Sequence, residues 1–249
     1  AKPVAPPSDP VAVAAANAAF GRALTSYLEA KSYNDTLKLA FDLAMTVNGK
    51  DAGQKQNDSI DYFYGGKEMF AFRNKEISLY RKGMMAAASV APLKQYMQKD
   101  DVKPGLVDWS EVIGPQAPLV TAMIDIHPVA TLISSVRGTA DKSFPMIDEV
   151  LGSEKGEIDG VKVLKVKGKA SLPILPPGSD PADVTIVLNE SDGLINRVIV
   201  DMTASYKVAM ERELSQIPAE MRAQFDRKLD HATLTLSLVD VKLNGEIKD

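Results

Sequence analysis

The 249-residue chain contains no cysteine, a single tryptophan and only two histidines. Without cysteine there is no disulfide, no thiolate nucleophile and no Cys-type zinc site. Long apolar runs are also missing. A membrane-spanning helix needs about 20 consecutive apolar residues, and the uncharged stretch at 112–123 is broken by Gly114, Pro115 and Pro118. Basic charge is not in excess: 29 Lys and Arg stand against 33 Asp and Glu, a net charge of −4, which argues against a nucleic-acid partner. No Gly-x-Ser-x-Gly elbow, phosphate-cradling glycine loop or His-Glu-x-x-His pair occurs. His127 has only Asp125 close by, at the wrong spacing, and His231 has no metal-ligand companion, so each reads as a structural hydrogen-bonding residue. No catalytic residue, metal site or cofactor is expected, and the chain reads as a non-enzyme.

What remains is an ordinary globular composition, 45% hydrophobic and 25% charged, long enough for a substantial core. The strongest signal lies at 37–47. There Leu37, Leu39, Phe41, Leu43, Met45 and Val47 alternate with Lys38, Ala40, Asp42, Ala44 and Thr46. A period of two places the apolar set on one face of a strand roughly 36 Å long. Burying each such side chain contributes on the order of 1.5–3 kcal/mol, so that face needs a cover. Either packed helices supply all of it, or part of it lines a cavity for an apolar ligand.

Around this strand the elements read in order. Residues 1–9 form a Pro-rich tether and 10–249 a single domain. Asp9 caps a helix that Pro10 opens and that runs to about Lys31, with Val13, Phe20, Leu24, Tyr27 and Leu28 near one face. Asn48-Gly49 turns the chain into a meander of strands at 60–64, 68–73 and 76–81, joined at Gly65-Gly66 and Asn74-Lys75. From 91 to 136 the pattern is helical and interrupted by prolines, the last helix opening at Pro128. Strands return at 148–155, with a turn at Gly156 and another at Asp159-Gly160, then at 161–169 and 184–189. Asp192-Gly193 makes a hairpin into a second long strand at 194–208, followed by a helix at about 218–229 carrying Met221, Phe225 and Leu229. In the last strand the apolar phase moves from Leu234, Leu236 and Leu238 to Val239, Val241 and Leu243, which predicts a β-bulge near Leu238-Val239.

This order resembles the bacterial envelope lipoprotein-carrier superfamily, the LolA/LolB-like fold, and is closest to its uncharacterised exported members. The matching features are the first helix and the strand at 37–47, Tyr64-Gly65-Gly66-Lys67, Leu79-Tyr80, the broken helices ending at 128–135, Asp159-Gly160-Val161, Asp192-Gly193-Leu194 and the closing Val241-Lys242-Leu243-Asn244. The resemblance implies an α+β fold, a strongly curved antiparallel sheet (an unclosed β-barrel) with helices over its concave face. It implies a non-enzymatic exported protein of the periplasm or cell envelope. Its ligand would be a lipid, a lipoprotein acyl chain or another hydrophobic group held between sheet and lid helices. The expected lining is Leu39, Phe41, Leu43, Met45, Phe70, Phe72, Ile77, Leu79, Met123, Leu132, Val198, Val200 and Met202. A start without Met, at Ala1-Lys2-Pro3, suits the mature end of such a protein, with a lipidated Cys ahead of Ala1 as one form. The alternative is an envelope scaffold or sensor with a filled core and a protein partner. A monomer without nucleic acid or a transmembrane segment suits either reading.

Overall fold

The computed structural model describes residues 9–65, 69–103, 107, 109–138, 144, 146–172, 174–176, 178–222 and 226–245. In order these form α1 (Pro10–Glu29), β1 (Tyr33–Val47), β2 (Lys50–Asp51), β3 (Gln54–Tyr64), β4 (Met69–Arg73), β5 (Ile77–Lys82), β6 (Met85–Val90) and β7 (Gln95–Lys99). Then come α2 (Trp109–Ile113), α3 (Ala117–Ile126) and α4 (Pro128–Gly138). The order closes with β8 (Glu149–Ile158), β9 (Val161–Ala170), β10 (Ala182–Asn189), β11 (Ile195–Asp201), α5 (Thr203–Gln216), α6 (Ala219–Arg222) and β12 (Arg227–Leu243). The strands make one twelve-stranded antiparallel sheet in the order β7-β6-β5-β4-β3-β1-β12-β11-β10-β9-β8, with β2 paired to β1. The sheet is not closed, and with its helices it is the α+β class expected.

Local chemistry explains where the elements begin and turn. Asp9 Oδ1 accepts from Val11 N–H at 3.0 Å, which caps α1. Asn48 and Gly49 take φ of 52° and 71°, and Asp159 and Gly160 take 51° and 80°. Two successive positive φ values suit the tight turns that join twisted antiparallel strands. At the third turn Leu194 N–H donates to Asp192 Oδ1 at 2.8 Å, and Gly193 has φ 72°.

Several expected elements differ. β1 begins four residues before the alternating run, at Tyr33, because Tyr33 and Asp35 are buried in the same alternation as Leu37. Gln95–Lys99 is a strand rather than helix: the three-residue 3-10 turn Ala91–Leu93 and Lys94, with φ 51°, fold it back onto β6. Gly156 does not turn the chain but pairs with Val163 inside β8. The second long strand stops at Asp201, whose Oδ1 accepts from Thr203 N–H at 2.9 Å and hands the chain to α5. Thus Ala204, Tyr206 and Val208 are helical, and helix replaces strand over 203–216. The helix expected at 218–229 shrinks to Ala219–Arg222, and Leu229 is a buried residue of β12. In α1 the buried side is mostly alanine (Ala16, Ala19, Ala23, with Phe20 and Tyr27), and Leu28 is exposed. Along β12 the buried parity runs through Leu234, Leu236 and Leu238 and then lapses, and Asp240 takes φ 55°. A left-handed residue inside a strand is the conformation that a bulge uses. The tether up to residue 8, the turn and strand start at 66–68, Pro104 and Phe225 lie outside the described residues.

The chain forms two compact units. One comprises 1–23, 40–57 and 146–236. In it Val198, Ile186, Val166 and Ser153 are direct neighbours across β11, β10, β9 and β8, as are Val200, Val184, Gly168 and Val150. Ser153 Oγ donates to the Ala12 carbonyl of α1 at 2.7 Å, so α1 begins against this row. The other comprises 24–39, 58–145 and 237–249. There Tyr62, Phe72, Leu79 and Ala88 are direct neighbours across β3 to β6, and α2 packs against β6 and β7.

Close approach within the first unit makes one glycine indispensable. A Cβ on Gly168 would lie 2.2 Å from the Glu149 carbonyl oxygen and 2.4 Å from Ile147 Cδ1. Gly168→Ala is expected to lower unfolding stability by about 3 kcal/mol, since backbone must move. At Gly156 a Cβ meets only the end of the Lys165 side chain, at 3.2 Å. Gly156→Ala is expected to stay within about 0.5 kcal/mol of the parent. Urea unfolding of the two variants checks the contrast.

Candidate ligand site

The sequence expectation for a ligand site divides between the two units. In the second unit β4 and β5 bring Phe70, Phe72, Ile77 and Leu79 to one face, with Tyr62 and Tyr64 of β3 beside them. Phe72, Ile77, Leu79 and Leu132 are buried, while Phe70 and Leu39 are partly exposed. The side chain of Met123 lies outside the described residues. Over this face runs a chain of rings. His127 and Tyr62 have centroids 4.6 Å apart, Tyr62 and Phe70 5.7 Å, and Phe70 and Trp109 6.1 Å. Tyr33 meets Tyr62 at 5.9 Å and Tyr27 edge-on at 5.4 Å. Such contacts add about 0.5–1.5 kcal/mol per pair to the burial itself.

A polar group sits inside this apolar cluster. His127 is fully buried and Asp35 nearly so, and His127 Nε2 lies 2.9 Å from Asp35 Oδ1. The other carboxylate oxygen accepts from the Tyr33 hydroxyl. His127 also caps α4: its carbonyl accepts from Thr131 N–H at 3.0 Å and its Nδ1 from Ala130 N–H at 3.2 Å. Nδ1 is therefore the acceptor, and the ring proton sits on Nε2 and is donated to Asp35. Burial, and after it the Asp35 charge, push the Tyr33 hydroxyl well above its ordinary pKa of 10.0. The arrangement looks like the orienting half of a catalytic triad, but the outer ring nitrogen is spent on a backbone amide, not on a nucleophile. What it does chemically is anchor the start of α4 to β1. The sequence signals were present in His127-Pro128 and in Asp35, an acidic residue in phase with Leu37.

In the first unit Val198, Val200 and Met202 are core residues, at 0%, 0% and 2% exposure. The rest of the expected lining there behaves differently. Phe41, Leu43 and Met45 of β1 share one face and stay partly exposed, with the Tyr206 ring of α5 tilted over Phe41 at 6.4 Å. On the opposite face Asp42 takes an ion pair from Lys55 at 3.1 Å and has His231 Nε2 at 3.4 Å. The Lys55 bond holds the Asp42 carboxyl below the usual carboxylate range. A separate open groove of about 430 Å³ lies where α1 begins beside β8 to β10, between Asp9, Ala12, Ser153, Gly168 and Thr185. None of the residues expected from sequence lines it. Its signal, a bulge at Leu151 beside two glycines, becomes readable only once β8 and β9 are in register. Among the described residues no cluster of three His, Cys, Asp or Glu could hold a metal ion.

No protein-family model matches this chain, and no curated protein matches it. Solved structures do. LprF from Mycobacterium bovis is similar at 10% identity and a TM-score of 0.46, over 98% of this chain and 97% of that one. A LolA superfamily protein from Nitrosomonas europaea is similar at 8% identity and a TM-score of 0.28, over 93% and 94%. An outer membrane lipoprotein-sorting protein domain from Vibrio parahaemolyticus is similar at 6% identity and a TM-score of 0.29, over 96% and 94%.

The buried hydroxyl of Tyr33 gives a pH signature. Its folded pKa is raised above the unfolded value of 10.0, so its contribution to stability is complete below that value and is lost as pH rises above it. In that window the parent should lose stability by about 1.4 kcal/mol per pH unit more than Tyr33→Phe does. At pH 8 the same variant should be less stable by about 1.5–3 kcal/mol, the worth of a hydrogen bond to a charged group. Urea unfolding at pH 8 to 11, with tyrosinate absorbance as a second readout, tests both statements.

Proposed function

We propose that this chain is a non-enzymatic protein of the bacterial envelope that holds a lipid, a lipoprotein acyl chain or another hydrophobic ligand. One observation carries the reading. Phe41, Leu43 and Met45 put three large apolar side chains on one face of a strand, and α5, which meets Phe41 through Tyr206, leaves all three partly exposed. An apolar row that a protein does not fully cover is unfavourable in water and favourable against an alkyl chain. Val198 and Val200, and Phe72 and Leu79, are by contrast buried. The resemblance of the element order to the lipoprotein-carrier superfamily supports the same ligand class. Among the described residues no helix is long and apolar enough to cross a membrane.

A second reading has its own support. Tyr80, Met84, Leu93 and Tyr96, from 37% to 66% exposed, all fall on or between β5 and β7. Under that reading the second unit, with its filled core, is a scaffold whose outer surface takes a protein partner.

Titration of the lipid-stripped protein with a fluorescent fatty acid distinguishes the two. The first reading expects saturable uptake, weakened about tenfold or more by Leu43→Lys with the circular dichroism unchanged, because a charge then faces the alkyl chain. Tyr96→Ser should leave uptake as it is. Absence of uptake, or uptake indifferent to Leu43→Lys, would sink the proposal.

A further inference from the structure

We propose that His127 is an acid-operated cap: protonation of its ring releases the first turn of α4 while the ring stays anchored to β1. The geometry leaves the imidazole one position at which to take a proton, Nδ1. Nε2 already carries hydrogen and gives it to Asp35 Oδ1 at 2.9 Å. The only free lone pair on the ring is at Nδ1, where it accepts Ala130 N–H at 3.2 Å. A proton arriving there turns the acceptor into a donor and sets two N–H groups against each other. Ala130 is buried, so its amide loses its partner and finds no water in place. The bond to Asp35 meanwhile becomes charge-assisted and tightens. One proton thus trades the cap for a stronger anchor.

The surroundings are consistent with a local event. The titratable and charged groups facing His127 are Asp35 and Tyr33 on β1, Tyr62 on β3 and, behind Tyr33, Tyr27 on α1. On α3, the Asp125 backbone carbonyl accepts from the Thr131 hydroxyl at 2.9 Å, and desolvation raises the pKa of the Asp125 carboxyl. Among the described residues Asp35 is the one carboxylate that touches the ring, and both its oxygens already accept hydrogen bonds. Just ahead of α4, His127 N–H donates to the Ile124 carbonyl at 3.0 Å, closing α3 on a short joint that Pro128 follows. When the cap opens, movement enters the ring chain at Tyr62 and reaches Trp109 through Phe70. Trp109, the single tryptophan of the chain, reports it. None of these residues belongs to the Phe41 row, so this inference stands apart from the ligand reading.

The test uses the full chain. Nitrogen-15 spectra of the two imidazole rings are followed from pH 8 to pH 5 with amide exchange at Ala130 and Trp109 emission, in the parent and in His127→Asn. Asn keeps a capping oxygen but cannot titrate in this range. In the parent, Ala130 exchange corrected for intrinsic rate should rise roughly fivefold, the factor that one lost helix cap gives. Trp109 emission should shift to the red over the same interval in which His127 Nδ1 gains its proton. In His127→Asn both changes should be absent, and His231→Gln should behave as the parent. If His127 stays neutral until the protein unfolds, or gains its proton with Ala130 exchange unchanged, the proposal fails. It fails equally if His127→Asn shows the parent's pH response. The parent spectra decide the matter even if the variant does not fold.

Discussion

A strand of fifteen residues with alternating apolar side chains imposes three obligations, and much of this fold discharges them. Both backbone edges must be paired, one face must be covered, and the ends must be turned without unsatisfied donors. β1 lies between β3 and β12 in the sheet, which settles its edges. At its far end Asn48 and Gly49 adopt the left-handed conformations that a two-residue turn needs, and Asn48 Oδ1 accepts from Asp226 N–H at 2.9 Å. At its near end Asn244 Oδ1 accepts from Lys31 N–H at 2.7 Å, and Asn244 N–H donates to the Ser32 carbonyl. Covering the face is the harder obligation. It is met by different chemistry along the strand: tightly by rings around Tyr33, and incompletely around Phe41 and Met45.

Tight cover depends on small residues as much as on large ones. α1 turns Ala16, Ala19 and Ala23 inward, and Ser153 reaches the Ala12 carbonyl across a gap that also admits Gly152, 3.8 Å from Ala12 Cβ if it carried a side chain. Removing bulk from the helix lets Val166, Ile186 and Val198 fill the layer beneath it at close to zero exposure. Bulges at Leu151 and near Leu188 add a residue to one strand of a pair and bend the sheet locally. Packing of this kind buries the strand layer, and the groove beside the start of α1 stays open at its edge.

How much of this was legible in the sequence follows from the range of each signal. Turns were readable because Asn48-Gly49, Asp159-Gly160 and Asp192-Gly193 act within four residues. Strand periodicity was readable where one face is apolar, as in β1, and misleading at 194–208. There, alternation of Ala204, Tyr206 and Val208 competed with a helical spacing of Tyr206, Met210 and Leu214. The bond from Thr203 N–H to Asp201 Oδ1 decided for helix. β7 was missed because its partly buried positions, Met97 and Lys99, and its exposed ones, Gln95, Tyr96 and Gln98, mix apolar and polar side chains alike. Of the expected lining, hydrophobic pattern identified residues that leave water but not what replaces the water. Val198 meets protein and Phe41 does so only in part, though both look alike in a window of sequence. Each half of the buried polar group carried a local signal, but their pairing was beyond pattern, since Asp35 and His127 stand 92 residues apart.

That polar group changes how the aromatic cluster should be understood. Rings alone pack in many near-equivalent ways, and a cluster of Tyr27, Tyr33, Tyr62, Phe70 and Trp109 has no intrinsic preference for one register of the helix above it. Asp35 and His127 supply the preference. A buried carboxylate tolerates few arrangements, and here both oxygens are used, one by the Tyr33 hydroxyl and one by the imidazole. The imidazole in turn has a single remaining lone pair, which accepts the third residue of α4. Moving α4 relative to β1 by even one residue would leave Asp35, His127 and the Ala130 amide each short of a partner inside an apolar region. Each orphaned group costs about 1–3 kcal/mol, more than the rings would regain by repacking. The helix is therefore positioned by hydrogen bonds and held by rings. Because the position depends on which ring nitrogen carries hydrogen, a proton at Nδ1 changes what the imidazole can hold.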